Sequence, residues 1–168
     1  CAIIKDWKLV GWLGELETRA ALLVMGEVRG GIITILDPRT ERGKLSLDIS
    51  SVRRIITPHV EGDDVIFNIE VFIEGEVTEN TGLEITVAKE TIQIAEERME
   101  TLIKEDMEAI ISKFQHEIKA DIFLFSRVLA ARRPHDWKRL ESRWDELFPE
   151  VKVNIDVQVK VRRFGIVR

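Results

Sequence analysis

Residues 151–161 read VKVNIDVQVKV, and every odd position is apolar while every even one is polar. A period of two over that length describes a β-strand of roughly 35 Å with one face in a core and the other in water. Residues 87–119 keep a different period. Ala88, Ile92, Ala95, Met99, Leu102, Ile103, Met107, Ile110, Phe114 and Ile118 recur at steps of three and four. That is one apolar stripe on a helix, on the order of 45 Å long at about 1.5 Å per residue. A stripe that long needs an equally long floor, and the valine strand has the length to provide it. The two together predict an α+β domain over residues 1–168: an antiparallel β-sheet with helices, one of them long, packed on one face in two layers.

The rest of the chain fits around that pair. AIIKDWKLVGWL, residues 2–13, holds two short apolar runs about Lys5-Asp6 and reads as a hairpin. GELETRAALLVMG, residues 14–26, places Leu16, Ala20 and Leu23 on one helical face, with Gly26 able to end the helix. GGIITIL is a strand, and Asp37-Pro38 opens the loop after it. The next strand alternates at Leu45, Leu47 and Ile49, then slips one residue at Ser50-Ser51 before Val52, Arg54 and Ile56. An uncorrected slip would turn every later side chain over, so a β-bulge is expected there. HVEGDD makes a turn, after which Val65, Phe67, Ile69, Val71 and Ile73 mark another half-buried strand. Asp121 can cap the helix of IFLFSRVLAARR, whose apolar start should be buried. In RPHDWKRLESRWDELFP, residues 133–149, the residues Trp137, Leu140, Trp144 and Leu147 share one helical face, and Phe148-Pro149 ends the helix. The stretch reads as a clasp that closes the core with two tryptophans.

Composition excludes several classes of function. With 45% hydrophobic and 33% charged residues, the balance is that of a water-exposed domain. No apolar run reaches the roughly 20 residues a membrane span needs. A net charge of −5 argues against general nucleic-acid binding. The single cysteine, Cys1, permits no internal disulfide and no four-cysteine zinc site. It leads directly into strand-like residues rather than a polar spacer, so it reads as a segment boundary and not as a lipid-bearing residue. Charge is also segregated: residues 61–87 carry eight acids and no base, while the C-terminal third is basic on balance. Acidic and basic strands side by side would account for this, as would a docking surface with a set polarity.

The motifs of known chemistries are missing. There is no glycine-rich phosphate loop, HExxH, GxSxG or EF-hand pattern. His59, His116 and His135 have no metal-ligand spacing, and Glu61, Asp63 and Asp64 read as a turn rather than a calcium loop. His135-Asp136 lacks a nucleophile to serve. No catalytic residue, cofactor site or metal site is expected.

The run ADIFLFSRVLAARRPHDWKRLESRWDELFPEVKVNIDVQVKVRRFGIV resembles the C-terminal domain of the Ger(x)C family, the lipoprotein C subunits of spore nutrient germinant receptors. Its landmarks are Asp121 and Phe123, Pro134 and Trp137, Trp144 with Phe148-Pro149, the valine strand and Gly165. KDWKLVGWLGELETRAALLVMGEVRGGIIT is similar to the family's opening, departing at GWLGELETRAALL, where a more polar and aromatic helix would be typical. The resemblance implies a non-enzymatic interaction and assembly domain of a longer subunit. It implies partners, the integral-membrane A and B subunits, and a place on the outer face of the inner spore membrane, with the lipid anchor outside this segment. The alternative is a small-ligand domain that senses the nutrient itself, which would need a pocket of roughly 300 Å³ or more with convergent polar groups. For the interaction reading, the outer side of the long helix is the expected docking face. Glu96, Glu97 and Glu100 are its candidate residues, expected to be exposed and dispensable for folding. The sheet face bearing Lys152, Asn154, Asp156, Gln158 and Lys160 is the next candidate.

Overall fold

The computed structural model describes residues 1–5, 7–37, 43–80 and 89–164. Strands β1 (Ala2–Lys5) and β2 (Lys8–Trp12) form the expected hairpin, and helix α1 (Glu15–Met25) follows. Strands β3 (Ile32–Leu36), β4 (Lys44–Glu61) and β5 (Asp64–Asn80) lead to the long helix α2 (Lys89–Ser112). Three short helices, α3 (Phe125–Arg132), α4 (Pro134–Leu140) and α5 (Trp144–Leu147), precede β6 (Lys152–Phe164). The main sheet has the order β3-β4-β5-β6. Of the positions named from the sequence, Asp6, Pro38, Ala88 and Gly165 lie outside the described residues.

The two-layer α+β arrangement is present, with one difference in strand direction. β3, β4 and β5 pair antiparallel, but β6 runs parallel to β5, with Ile66 opposite Lys152 and Ile73 opposite Val159. The reason is the length match itself. A helix about as long as the strand carries the chain back to the end where β5 began, so the next strand repeats the direction of β5. The odd side chains of β5 and β6 still meet the core, where Phe67, Ile69, Val71 and Ile73 lie beside Ile155, Val157 and Val159.

The bulge falls where the period slips. Register shifts between Ile49 and Ser51, and the Ser50 hydroxyl donates to the Glu74 carbonyl at 3.1 Å. Gly75 sits opposite Ile49, where a Cβ would stand 2.5 Å from the Asp48 carbonyl oxygen. Only glycine fits so close a backbone approach. A second shift, between Ser46 and Leu47, has no counterpart in the hydrophobic pattern.

On α2, Ala95, Met99, Ile103, Met107 and Ile110 are buried, and Ile92 and Leu102 half-buried. The helix widens into a π-helical turn over Lys113–Ile118, ending at Lys119 in the left-handed region. The wider turn brings both Phe114 and Gln115 inside. Gln115 donates to the carbonyls of Phe148 and Val151 at 3.0 and 2.7 Å, joining α2 to the entrance of β6. In α1, Gly26 adopts the expected left-handed end and Ala20 and Leu23 are buried. Leu16 is not: it is 60% exposed, in the first turn at the rim of a cleft between α1 and α2.

The clasp is broken where one helix was expected. A 3₁₀ turn at Glu141–Arg143 separates α4 from α5, and another follows at Phe148–Glu150. Its apolar residues nevertheless converge: Leu140, Trp144 and Phe148 are buried, Trp137 and Leu147 half-buried. Asp121 holds the assembly. Its carboxylate accepts the Phe125 and Ser126 amides at the start of α3, at 3.0 and 2.8 Å, and Trp144 Nε1 at 3.2 Å. Phe123 and Phe125 are buried there, whereas Leu124 between them is 41% exposed with a φ of +61°. Below the clasp Phe125 stacks on Phe67 at 4.6 Å, and Trp137 meets Trp144 edge-on at 5.5 Å.

Candidate interaction surfaces

Glu96, Glu97 and Glu100 do not form one outward face. Glu96 is buried, 7% exposed, and accepts the Val161 amide at 2.9 Å and Lys160 Nζ at 3.4 Å. Glu100, half-buried, accepts the Val159 amide at 2.9 Å. The physical cause lies in the sheet. β6 is hydrogen-bonded to β5 on one side, so its odd-numbered amides point to an edge that pairs with no further strand among the described residues. One helical step of four residues rises about 6 Å and one strand step of two about 6.6 Å, so two carboxylates on α2 match two amides on β6. They satisfy those donors and close part of an edge that could otherwise recruit another strand. The expectation that these two acids are exposed is therefore corrected: Glu96 is buried and Glu100 half-buried, each held to a β6 amide. Glu97 is exposed, beside a shallow groove lined by Ile94, Thr101 and Glu105.

The sheet's second face is the broader surface. Cross-strand register places Thr57, Asn68 and Asn154 in one row and Arg53, Phe72 and Gln158 in another. Asn154 donates to Asn68 at 2.9 Å, and the Arg53 guanidinium lies 4.3 Å over the Phe72 ring. Ile55, Ile66 and Phe72 are half-buried among these polar groups. The acidic and basic strands are neighbours, as charge segregation suggested: Glu74 faces Lys160 and accepts from Arg162. That hydrogen bond is the chief reason the Glu74 carboxyl ionises below its usual range and Arg162 above its own. Complementarity is incomplete, since Glu70 faces Asp156.

The acidic turn after β4 is a structural anchor. Asp63 accepts from Arg139 at 2.6 Å and from Arg143 at 3.0 Å, and Arg139 also reaches the Gly62 carbonyl. Hydrogen bonding by Arg143, then by Arg139, holds the Asp63 carboxyl below its ordinary value. Lys113 does the same to Glu17 across a 2.6 Å pair. Among the described residues no group of three or more His, Cys, Asp or Glu side chains could hold a metal. His59, His116 and His135 are exposed and lie on β4, the π-helical turn and the first turn of α4. Asp136 pairs with Arg133 at 2.8 Å. One cleft of about 340 Å³, between the end of α1, β4 and α3, gathers Arg54, Arg127 and Arg132 with Glu27 above an apolar floor of Ile56 and Phe123. Arg54 caps α1 by donating to the Val24 carbonyl at 2.6 Å, and burial, with Arg132's charge, pulls its pKa down.

Residues 1–165 match the family model described as "Spore germination B3/ GerAC like, C-terminal". The chain belongs to that family. Spore germination protein YndF of Bacillus subtilis (strain 168) is 30% identical over 164 residues, covering 98% of this chain and 40% of that protein. Spore germination protein B3 of the same organism is 30% identical over 162 residues, covering 95% and 42%. The crystal structure of the GerBC protein superposes with a TM-score of 0.83 at 27% identity, over 93% of this chain and 48% of that one. The chain thus spans less than half the length of each of these relatives. The two Bacillus subtilis proteins YndF and B3 are named for spore germination, and neither is named for a catalysed reaction.

Within this spore germination B3/GerAC-like domain, what sequence reading missed are the contacts that act across the fold: those of Glu96 and Glu100, named there for another role, and those of Gln115, not named at all. Glu96 and Glu100 carried a signal in their spacing of four along the border of the apolar stripe. Gln115 carried one as a polar residue beside Phe114. Neither signal names the partner, because the partner is a backbone group some 33 to 65 residues away.

Proposed function

We propose that the chain is a non-enzymatic interaction and assembly domain of a germinant receptor subunit, acting in nutrient-triggered spore germination. It is one domain of a longer protein, whose partners are the integral-membrane subunits of the same receptor. In that setting the subunit sits on the outer face of the inner spore membrane, with its lipid anchor outside this segment. Family membership and the relatives' names support the germination role.

The observation that carries the interaction reading is the wide sheet face, with its rows of amides and half-buried Ile55, Ile66 and Phe72. Mixed apolar and polar surfaces of this kind suit protein interfaces, where polar groups set register. With Glu96 and Glu100 occupied at the edge of β6, this face is the better docking surface, and Glu97 marks the secondary one. The test places Asn154→Glu with Gln158→Glu in the full-length subunit, and Glu97→Lys in a separate strain. The first pair is expected to leave the isolated chain folded while lowering receptor level and germination rate in spores. Unchanged receptor level and germination would remove this face as the docking surface.

A second reading, direct nutrient sensing, is favoured by the arginine-lined cleft, which has the size and charge for a small carboxylate. Saturable calorimetric binding of a germinant amino acid to this chain, lost in Arg127→Ala, would establish it over the first.

A further inference from the structure

The β1–β2 hairpin is apolar on both faces. Ile3, with Gly11 opposite, faces inward and is buried, and the Gly11 position lies against Ile118 of the π-helical turn. The other face pairs Ala2 with Trp12 and Ile4 with Leu9, and all four are exposed. Trp12 is 67% exposed, and Trp7, where the ribbon turns, is 101% exposed. Among the described residues of the hairpin no charged side chain stands on that outer face, and Lys113 and Glu117 of the π-helical turn line the groove beside Trp12. Lysines instead gather at its turning end: Lys8 is exposed, and Lys5 donates to the carbonyl of the exposed Lys119 at 2.6 Å. Asp6 is the one acid in the hairpin sequence.

We infer that this hairpin is a membrane-surface contact, laying Ile4, Leu9, Trp7 and Trp12 into the headgroup region of an anionic bilayer. Tryptophan favours that level, because its ring is apolar with one polar edge, and lysines beside it are drawn to negative headgroups. The charge fits that occupant: the chain is net −5, yet this end presents ammonium groups around an uncharged apolar face. By area alone a second copy remains the competing occupant, since the four side chains offer on the order of 600 Å² of apolar surface and a stable interface is only partly apolar. It is the charge at the turning end that favours the bilayer. The inference does not depend on which surface meets a partner subunit, and it stands if the sheet face proves to have none.

The experiment is co-sedimentation of the 168-residue chain with sucrose-loaded vesicles of phosphatidylglycerol and phosphatidylcholine, against phosphatidylcholine alone. At least tenfold more binding to the anionic vesicles is expected, with a blue shift in tryptophan emission and weakening in high salt. Trp7→Asn suits the left-handed φ of 64° at that position and should preserve the fold, checked by an unchanged urea midpoint. It should cut binding at least fivefold, and Lys8→Glu should act in the same direction. Failure to sediment, or binding that both variants retain, would overturn the inference. So would a concentration-dependent dimer abolished by Trp7→Asn, which would assign the face to a second copy.

Discussion

The four tryptophans divide into two pairs with opposite roles. In the clasp, Trp144 is 7% exposed, meets Trp137 edge-on and gives its N–H to Asp121. In the hairpin, Trp7 and Trp12 lie open on the surface. What separates the pairs is not the residue type or the local apolar content, since the buried pair lies in the more charged segment and the open pair in the more aliphatic one. It is whether a polar partner and a ring-sized recess wait on another element. The clasp has Asp121 and the phenylalanines of α3 and β5, whereas among the described residues the hairpin packs through Ile3 and leaves its other face exposed. Buried aromatic area drives folding in the first case. In the second the same area remains available for association.

Trp144→Ala should break the comparison most severely, costing roughly 3–5 kcal/mol of stability. A urea midpoint near that of the unaltered chain would mean the clasp does not close the core. Gly75→Ala is next, at about 1–3 kcal/mol, because its Cβ meets the backbone and side chain of β4 at the bulge. Thermal unfolding measures it, and a neutral result would show that the bulge relaxes freely.

Glu96→Ala should cost about 1–2 kcal/mol, leaving the Val161 amide without its acceptor. Amide hydrogen exchange at Val159 and Val161 separates the edge contact from a general loss. Faster exchange centred on Val161 is expected, with Val159 still held by Glu100, whereas Glu97→Ala should leave both unchanged.

The smallest effect concerns acid. Asp63 has a folded pKa below its unfolded one, so its contribution is present above the unfolded value and fades as pH falls through the folded value. Glu74 behaves alike. Both are exposed pairs and contribute little. Asp63→Asn should therefore flatten the acid limb of the stability profile slightly and leave the neutral plateau nearly unchanged. A large loss at neutral pH would mean the turn anchors the clasp far more strongly than exposed pairs usually do.

Local periodicity made much of the fold legible. The valine strand, the stripe of α2, the slip at Ser50-Ser51, the cap at Asp121 and the end at Gly26 are all encoded within a few residues. The direction of β6 was not, because it depends on the path the chain takes between strands. Nor was the break in the clasp at Glu141–Arg143, since Trp137, Leu140, Trp144 and Leu147 reach inward through either geometry. Of the docking residues, only Glu97 lies where periodicity placed it. Glu96 and Glu100 are drawn to amides that exist only once β6 becomes an edge. The open hairpin face was invisible for the opposite reason: an apolar run reads as core until the structure shows Ile4, Trp7, Leu9 and Trp12 exposed among the described residues.

The split between the tryptophan pairs is tested most directly by fluorine NMR of the chain labelled with 5-fluorotryptophan, each resonance assigned by single Trp→Phe substitution. The solvent isotope shift between water and deuterium oxide reports how far each ring meets solvent. Large shifts are expected for Trp7 and Trp12, a smaller one for Trp137 and almost none for Trp144. A solvent-shifted Trp144, or a Trp7 shielded in the monomer, would contradict the account.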